Sequence, residues 1–367
     1  MIDYIEVSGT NLEMGRSFGE AFRDKIHEFY NTRMQRIKNF EEKYGHVKVT
    51  DKEILDAASN CLKTHENYDG DIWQEFLGIS EGANLEPKKL FTMMNYTDLR
   101  DYIYSLYGVL DHNTPVEGCS AFLLPKDMSK TNSVVFGQTW DMSAEAINYI
   151  VIVKRKPKNG PETLYLTTYG CLALIGMNSE GIAVGTTNLM ASDSEVGIGY
   201  LFTLSRALKH SSIKKAADEI KSSNRLSGHS FFLASKNEGI KLETTSLKYK
   251  EKILRDIPLV HTNHYQDSEL QQYEIPTKID RHLNSVYRHG RLLSRLAYKE
   301  SFDLADCWDI LSDNKRNATF GTICNEDYTG QYSEFATAAT VLADLDKRQL
   351  IACRGGAKTG QKEIFAL

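Results

Sequence analysis

The chain has 367 residues, of which 41% are hydrophobic and 25% are charged, a composition typical of a globular protein with length enough for a sizeable core. The net charge of -5 and the pI of about 6.1 exclude the concentrated basic face of a nucleic-acid binder. No apolar run approaches the roughly 18 residues of a membrane span, so neither nucleic acid nor membrane is a predicted partner.

The compartment is predicted from the first residues and from the cysteines. Met1–Ser8 alternates apolar and polar residues and lacks the charged-then-apolar pattern of a secretory signal. The six cysteines are scattered without a Cys-x-x-Cys pair, which excludes a zinc or disulfide framework and suits a reducing compartment. We therefore expect a cytoplasmic protein.

The first part of the chain is predicted to be mostly helical after a short opening strand. Apolar residues recur every four positions from Ser17 to about Phe40, which indicates an amphipathic helix. Further helices are predicted over Asp51–Leu62, with Asp51 as the cap, Thr64–Gly82 and Pro87–Leu106. This region extends to Gly118.

The pattern changes after Cys119 to alternating and β-branched runs. Strands are predicted at Ser133–Phe136, Tyr149–Val153, Glu162–Thr168, Ile182–Thr187, Ser230–Ala234, Ile240–Thr245 and Ile257–His261. Two helices, Leu201–Ser222 and His282–Lys299, interrupt them, and Thr340–Leu345 with Gln349–Cys353 predicts a terminal hairpin. Composition and pattern alone support an α+β domain.

The junction Gly118-Cys119 carries the clearest chemistry. A thiol that follows a glycine can attack the glycine carbonyl through a five-membered ring, and water can cleave the resulting thioester. The new terminus at Cys119 would hold a nucleophile together with an α-amine of pKa about 7.7–8.0 that can serve as its base. A buried structural thiol is the alternative interpretation.

Other motifs stand in a fixed order around this junction. They include Gly9 to Gly19, Gly78-Ile79-Ser80-Glu81-Gly82-Ala83, Trp140-Asp141, Gly176-Met177-Asn178 and His261-Thr262-Asn263-His264. Together with Cys119, this order resembles the isopenicillin-N acyltransferase-like family of cysteine N-terminal nucleophile (Ntn) hydrolases, over nearly the whole chain.

The resemblance implies a four-layer αββα sandwich, in which two antiparallel sheets pack face to face with helices outside. It implies that the nucleophile begins a central strand. Residues 1–118 would be a helical pro-segment and residues 119–367 the Ntn-hydrolase core. After self-cleavage the two chains would stay associated as one globular domain.

The resemblance also implies roles for single residues. Cys119 would be the nucleophile, Asp141 would orient the terminal amine, and Asn263 would donate to the oxyanion that forms during acyl transfer. Trp140 and His264 are predicted to lie at the substrate. His264 and its neighbour His261 are expected to hold the loop by hydrogen bonds.

One position departs from the family pattern. Where the isopenicillin-N enzyme carries an Arg-Gly pair, this sequence has Glu334-Phe335, so a site built for an anionic acyl group or for coenzyme A is in doubt. Glu334 is then expected to contact substrate. Arg288 and Arg291, one helical turn apart, are candidates for a replacement cation, with a solvated helix face as the alternative.

The function predicted from these motifs is that of an autoproteolytic cysteine amidohydrolase or acyltransferase acting on a small linear amide, with no metal or organic cofactor. The acyl group would pass through a Cys119 thioester to water or an amine, and an acyl-thioester donor is left open. Two alternatives remain: a Cys-His peptidase with His261 or His264 as base, and an inactive family member that serves as a binding protein. The sequence leaves a homo-oligomer open.

Overall fold

The first 108 residues form one strand and six helices, as the helical pattern predicts. The computed structural model describes residues 1–108, 118–277, 279–315, 321–328 and 335–367. The elements of this first part are β1 (Asp3–Gly9), α1 (Asn11–Ala21), α2 (Arg23–Tyr44), α3 (Asp51–His65), α4 (Gly70–Ala83), α5 (Pro87–Met94) and α6 (Tyr96–Tyr107).

Several predicted helix boundaries are wrong. The helix predicted from Ser17 is two helices that meet at Phe22, and α1 begins earlier because Thr10 and Glu13 form a reciprocal capping box. Thr50, not Asp51, caps α3 in the same way. The helix predicted over Thr64–Gly82 is interrupted before Asp69, whose side chain accepts from the backbone at the start of α4.

The glycines of the two N-terminal motifs serve helix packing. A Cβ atom at Gly15 or Gly19 of α1 would overlap the backbone of α4, and one at Gly78 or Gly82 of α4 would overlap the backbone of α1. Because glycine lacks that atom, the two helices touch along their backbones. These glycines therefore serve the packing of α1 against α4.

The chain from Gly118 onward supplies two sheets and four helices in its described part. The elements are β2 (Ser120–Leu124), β3 (Val135–Ser143), β4 (Ile150–Pro157), β5 (Thr163–Thr168), β6 (Ile175–Asn178), β7 (Ala183–Leu189), α7 (Tyr200–Ala207), α8 (Ile213–Ser222), β8 (Gly228–Ala234), β9 (Gly239–Thr244), β10 (Tyr249–Ile253), β11 (Leu259–His261), α9 (Ile279–Leu296), α10 (Leu304–Leu311), β12 (Phe335–Asp344), β13 (Gln349–Arg354) and β14 (Glu363–Ala366). The helix predicted over Leu201–Ser222 is two helices, because its apolar repeat is interrupted between Leu208 and Ile213.

The two sheets pack face to face. The larger has the strand order β1-β4-β5-β6-β7-β8-β9-β10 and the smaller β11-β2-β3-β12-β13-β14. Phe136 of β3 stacks on Phe232 of β8 at 5.8 Å between ring centroids, and Gln138 Nε2 donates to the Thr186 carbonyl of β7 at 2.6 Å. Helices α7 and α8 contact the larger sheet, and α9 and α10 contact the smaller one. The predicted αββα sandwich is confirmed.

The N-terminal part is joined to the rest of the fold through the larger sheet. Strand β1 pairs in parallel with β4, with Asp3 opposite Val151 and Gly9 opposite Pro157. The opening strand is thus an edge of the sheet, which accounts for the alternating pattern of the first residues. No described helix is both long and apolar enough to cross a bilayer.

Candidate active site

The position of Cys119 follows from the strand order of the smaller sheet. Cys119 immediately precedes β2, which lies between β11 and β3. The register pairs Ser120 with Thr139 on one side and Ala121 with His261 on the other. Antiparallel pairing continued two residues further brings Asp141 beside Gly118 and Asn263 beside Cys119. Two distant motifs therefore converge on the predicted cleavage junction.

Cys119 is buried in the core between the two sheets, with 1% of its surface exposed. Its Sγ donates to the backbone carbonyl of Asp141 at 3.5 Å. The remaining cysteines are also free and buried, and burial raises the pKa of Cys61 to about 12 and that of Cys171 to about 11. Such thiols are poor nucleophiles at neutral pH, as expected for core residues.

Gly118 lies directly against the carboxyl group of Asp141. A Cβ atom at residue 118 would stand 2.5 Å from Asp141 Oδ2 and 3.1 Å from Asp141 Cβ. Real Cβ atoms do not approach an oxygen that closely, so only glycine allows this packing. This contact is a steric reason for glycine at position 118. It adds to the chemical reason, which is that glycine leaves its carbonyl accessible to a nucleophile.

Asp141 is fully buried in β3 and retains a proton more readily than an ordinary aspartate. Thr337 Oγ1, from the paired position on β12, donates to Asp141 Oδ1 at 2.7 Å. Burial raises the pKa of Asp141 from 3.8 to about 7, against the opposing effects of Arg288 and of the Thr337 hydrogen bond. Near neutrality this carboxyl can therefore both accept and release a proton.

Arg288 brings a cation to the junction from helix α9. Its Nη1 donates to the carbonyl oxygens of Gly118 at 2.8 Å and Cys119 at 2.6 Å, and to Ser120 Oγ at 3.0 Å. The side chain is buried, and burial lowers its pKa while the nearby Asp141 and Cys119 raise it. Arg288 is thus a buried cation at the junction, and its predicted contact with substrate stays a prediction.

Arg291, one turn further along α9, lies away from this junction. Its Nη2 pairs with Asp313 Oδ2 at 2.6 Å. Of the two arginines considered as replacement cations, the structure therefore brings only Arg288 to the site. The solvated-face alternative is wrong for Arg288, since only 2% of its surface is exposed.

Asn263 lies between Arg288 and the neighbouring sheet. Its Oδ1 accepts from Arg288 Nη2 at 3.1 Å, and its Nδ2 donates to the Asn188 carbonyl at 3.0 Å. Its backbone nitrogen donates to Ser285 Oγ at 2.9 Å. Asn263 thus lies near the junction with its amide oxygen holding the guanidinium group and its amide nitrogen bonded to Asn188, and its predicted role as an oxyanion donor stays a prediction.

The two histidines of the same motif are held by other groups. His261 Nδ1 lies 2.7 Å from the Thr262 carbonyl, and its Nε2 lies 3.6 Å from Glu243 Oε1. His264 Nδ1 lies 2.8 Å from Ser285 Oγ, and burial lowers the His264 pKa to about 3. These bonds agree with the prediction that both histidines hold the loop.

The substrate contacts predicted for Trp140 and Glu334 stay predictions. Trp140 lies on β3 next to Asp141, is 5% exposed and belongs, like Cys119, to the core between the sheets. Glu334 lies outside the described residues. The sequence assigned no role to Thr337 or Ser285, although each hydrogen-bonds a predicted site residue. The available signal was position, since Thr337 follows Glu334-Phe335 by two residues and Ser285 precedes Arg288 by one helical turn.

A cavity of about 380 Å³ opens two residues beyond Asp141, between the end of β3 and helix α2. Its lining includes Ser143 and Phe335 from the smaller sheet and Phe40, Tyr44 and Tyr96 from the N-terminal part. Arg36, Glu42 and Lys43 also line it, so the cavity offers aromatic contacts to an apolar group and charged contacts to a polar one. Among the described residues, no group of three or more histidine, cysteine or acidic side chains is arranged to hold a metal ion.

Comparison with known proteins decides the family. The family model of acyl-coenzyme A:6-aminopenicillanic acid acyl-transferase matches residues 128–354, more than half of the sequence. The chain belongs to this family. The match includes Asp141, Asn263 and Arg288, and Cys119 lies just before it.

Individual relatives are distant. The 40 kDa form of the acyl-coenzyme A:6-aminopenicillanic-acid acyltransferase of Emericella nidulans is 23% identical over 318 residues, covering 83% of this chain and 81% of the relative. A mutant form of the conjugated bile acid hydrolase from Clostridium perfringens is 15% identical, with a TM-score of 0.45 over 68% of this chain and 97% of its own. Penicillin V acylase from Agrobacterium tumefaciens is 12% identical, with a TM-score of 0.40 over 68% and 86% of the two chains.

Proposed function

We propose that this family member is an autoproteolytic cysteine Ntn enzyme that cleaves its own Gly118–Cys119 bond and then hydrolyses or transfers the acyl group of a small linear amide. The observation that carries the proposal is the convergence of three groups on the buried Gly118–Cys119 junction. The Cys119 thiol lies on the Asp141 backbone carbonyl, the Asp141 carboxyl packs against Gly118, and the Arg288 guanidinium binds the Gly118 carbonyl. Each of the three side chains supplies a different requirement of acyl transfer: nucleophile, proton carrier and cation.

The first reaction is an N-to-S acyl shift. Cys119 Sγ attacks the carbonyl carbon of Gly118, a C–S bond forms, and the C–N bond to Cys119 breaks as its nitrogen gains the thiol proton. Asp141, with a pKa raised to about 7 and packed on Gly118, can accept that proton and return it. Water then hydrolyses the thioester and leaves a carboxylate on Gly118 and a free amine on Cys119.

The second reaction reuses the same thiol. The new α-amine, of ordinary pKa about 7.7–8.0, takes the thiol proton when Cys119 attacks the substrate amide. The acyl-thioester on Cys119 is then resolved by water or by an amine, and an acyl-thioester could also be the donor. The cavity beside Ser143, with aromatic residues in its lining, is the place we assign to the apolar part of the substrate.

The two chains are proposed to stay together after cleavage. Contacts across the division include the β1–β4 pairing, a two-bond ion pair of Arg36 with Glu145, and the buried pair of Asp98 with His229 at 2.7 Å. Removing one partner of a buried hydrogen bond leaves the other group unsatisfied, which costs about 1–3 kcal/mol. Residues 1–118 therefore act as part of the mature enzyme.

The test of this function is the mass and the activity of the purified wild-type chain. We expect two masses that co-elute under native conditions, with the larger fragment beginning Cys-Ser-Ala-Phe. That preparation should release amines from N-acyl amides. The initial burst of amine should equal the amount of acyl-thioester formed on Cys119. A single intact mass together with no turnover would leave the inactive binding protein as the better description.

The hydrogen bonds of the two histidines oppose the alternative of a Cys-His peptidase. If they only hold the loop, His261→Ala and His264→Ala should keep self-cleavage within a few-fold of the wild type while losing about 1–3 kcal/mol of stability, since each removes a buried partner. Intact mass and urea unfolding measure the two quantities. A folded His264→Ala chain that no longer cleaves would instead favour histidine as the base.

A further inference from the structure

The guanidinium of Arg288 contacts the peptide group whose C–N bond the proposed reaction breaks. Its Nη1 lies 2.8 Å from the Gly118 carbonyl oxygen, which is the oxygen that becomes negative when Cys119 attacks. The sequence suggested Arg288 only as a contact for substrate.

We propose that Arg288 is the oxyanion donor for self-cleavage, so that helix α9 supplies the cation that stabilises the tetrahedral intermediate at Gly118. The inference rests on the proposed function and assigns a catalytic step of it to a residue outside the strands. In this step the new C–S bond leaves a negative charge on the Gly118 oxygen, and Arg288 donates a hydrogen bond to that oxyanion. The C=O bond then re-forms as the C–N bond breaks and the Cys119 nitrogen takes a proton.

The first support is that the donor is fixed before the reaction. Arg288 Nε donates to Asn284 Oδ1 at 2.8 Å, and Nη2 donates to Asn263 Oδ1 at 3.1 Å. Because Nε and Nη2 of the guanidinium group are both held and the side chain is buried, little reorganisation is needed when negative charge develops on the Gly118 oxygen. Asn263 thereby acts on self-cleavage through Arg288, as a positioning residue.

The second support is the number of acceptors around Nη1. This nitrogen has two hydrogens but lies within hydrogen-bond distance of three oxygens, those of Gly118, Cys119 and the Ser120 hydroxyl. In the resting precursor its bonds are therefore shared. An oxyanion on Gly118 would attract both the charge and the shared hydrogens, so Arg288 binds the intermediate more strongly than the ground state, as catalysis requires.

The third support is the low-dielectric surroundings. Cys119, Asp141 and Arg288 are each at most 2% exposed. Water cannot screen the attraction between the guanidinium and a developing oxyanion there, so the interaction is much stronger than at the surface. Asp141 could compete with the oxyanion for Arg288, but burial raises its pKa to about 7, which leaves it partly protonated and weakens that competition.

The experiment measures the rate at which freshly translated precursor becomes two fragments in Arg288→Gln, Arg288→Lys and Arg288→Ala. We expect about a 10²–10³-fold loss in the Gln variant, the range for removal of one oxyanion donor, and a smaller loss in the Lys variant, which keeps the charge. Arg291→Gln is the matched control on the same helix, because Arg291 binds Asp313 instead of the junction, and it should cleave at the wild-type rate.

Chemical rescue separates catalysis from structure. Guanidinium at millimolar concentration, far below denaturing amounts, should restore part of the cleavage rate of Arg288→Ala, and a matched concentration of sodium should not. If Arg288→Gln cleaves as fast as the wild type, the inference is overturned and the proposed function is left intact. The inference is also overturned if Arg291→Gln is slowed equally, or if guanidinium does not rescue a folded Arg288→Ala chain.

A wild-type chain that never cleaves would instead remove the proposed function itself.

Discussion

Cys119→Ala is expected to remain a single chain of 41.6 kDa with no measurable cleavage at residue 118 and no turnover of amides. The reason is that both proposed reactions begin with the same sulfur, and the methyl group of alanine cannot replace it. Cys119→Ser should cleave at least about tenfold more slowly, since a hydroxyl is intrinsically a weaker nucleophile than a thiol. Intact mass over a time course measures both variants.

A second buried thiol provides the control for this result. Cys324 is 1% exposed, and the charge of Asp141 contributes to its raised pKa, so Cys324 is near the site without lying at the junction. Cys324→Ala should therefore cleave normally. Cleavage at residue 118 in the Cys119→Ala chain would point to another protease and would contradict self-cleavage.

Much of the candidate site could be predicted because strand pairing converts sequence motifs into neighbours. Gly118-Cys119, Trp140-Asp141 and the motif containing Asn263 each adjoin strands of the smaller sheet, and the family resemblance places the nucleophile at the start of a central strand. Once β2 lies between β3 and β11, the register alone brings Asp141 and Asn263 to the junction.

Arg288 could not be assigned from the family pattern, because it comes from a helix and not from the position of the expected arginine. One signal was present: Arg288 lies on the same stripe of α9 as Ser285, Leu292 and Leu296, which are all buried, whereas Arg291 lies off that stripe. A charged residue on an apolar stripe must find partners when buried. That reasoning would have favoured Arg288 over a solvated face.

Helix ends were predicted less well than the helices themselves, for a local reason. Repeats of apolar residues continue across a break when two successive helices pack on the same core, as α1 and α2 do around Phe22. The capping residues Thr10 and Thr50 identify the true starts, since their side chains bond the backbone three residues on. Caps locate a helix boundary where hydrophobic period alone does not.

Asp141→Asn is expected to slow self-cleavage by about 10²–10⁴-fold, the usual contribution of a positioned acid or base. The amide oxygen can still accept from Thr337 and the side chain keeps nearly the same volume against Gly118, so the change removes proton transfer with little change in packing. The rate of fragment formation measures the loss. A cleavage rate within a few-fold of wild type would show that Asp141 only shapes the junction.

The same substitution has a pH signature in the uncleaved Cys119→Ala background. Because the folded state raises the Asp141 pKa from 3.8 to about 7, it binds more protons than the unfolded state between these values, and stability must fall as pH rises through that window. By pH 8 the resulting loss in the free energy of unfolding amounts to roughly 4 kcal/mol. Asp141→Asn cannot ionise and should not show this loss, so its stability relative to the parent chain should increase between pH 5 and pH 8. Urea unfolding at both pH values measures the difference, and a constant offset would mean that Asp141 is not held protonated by burial.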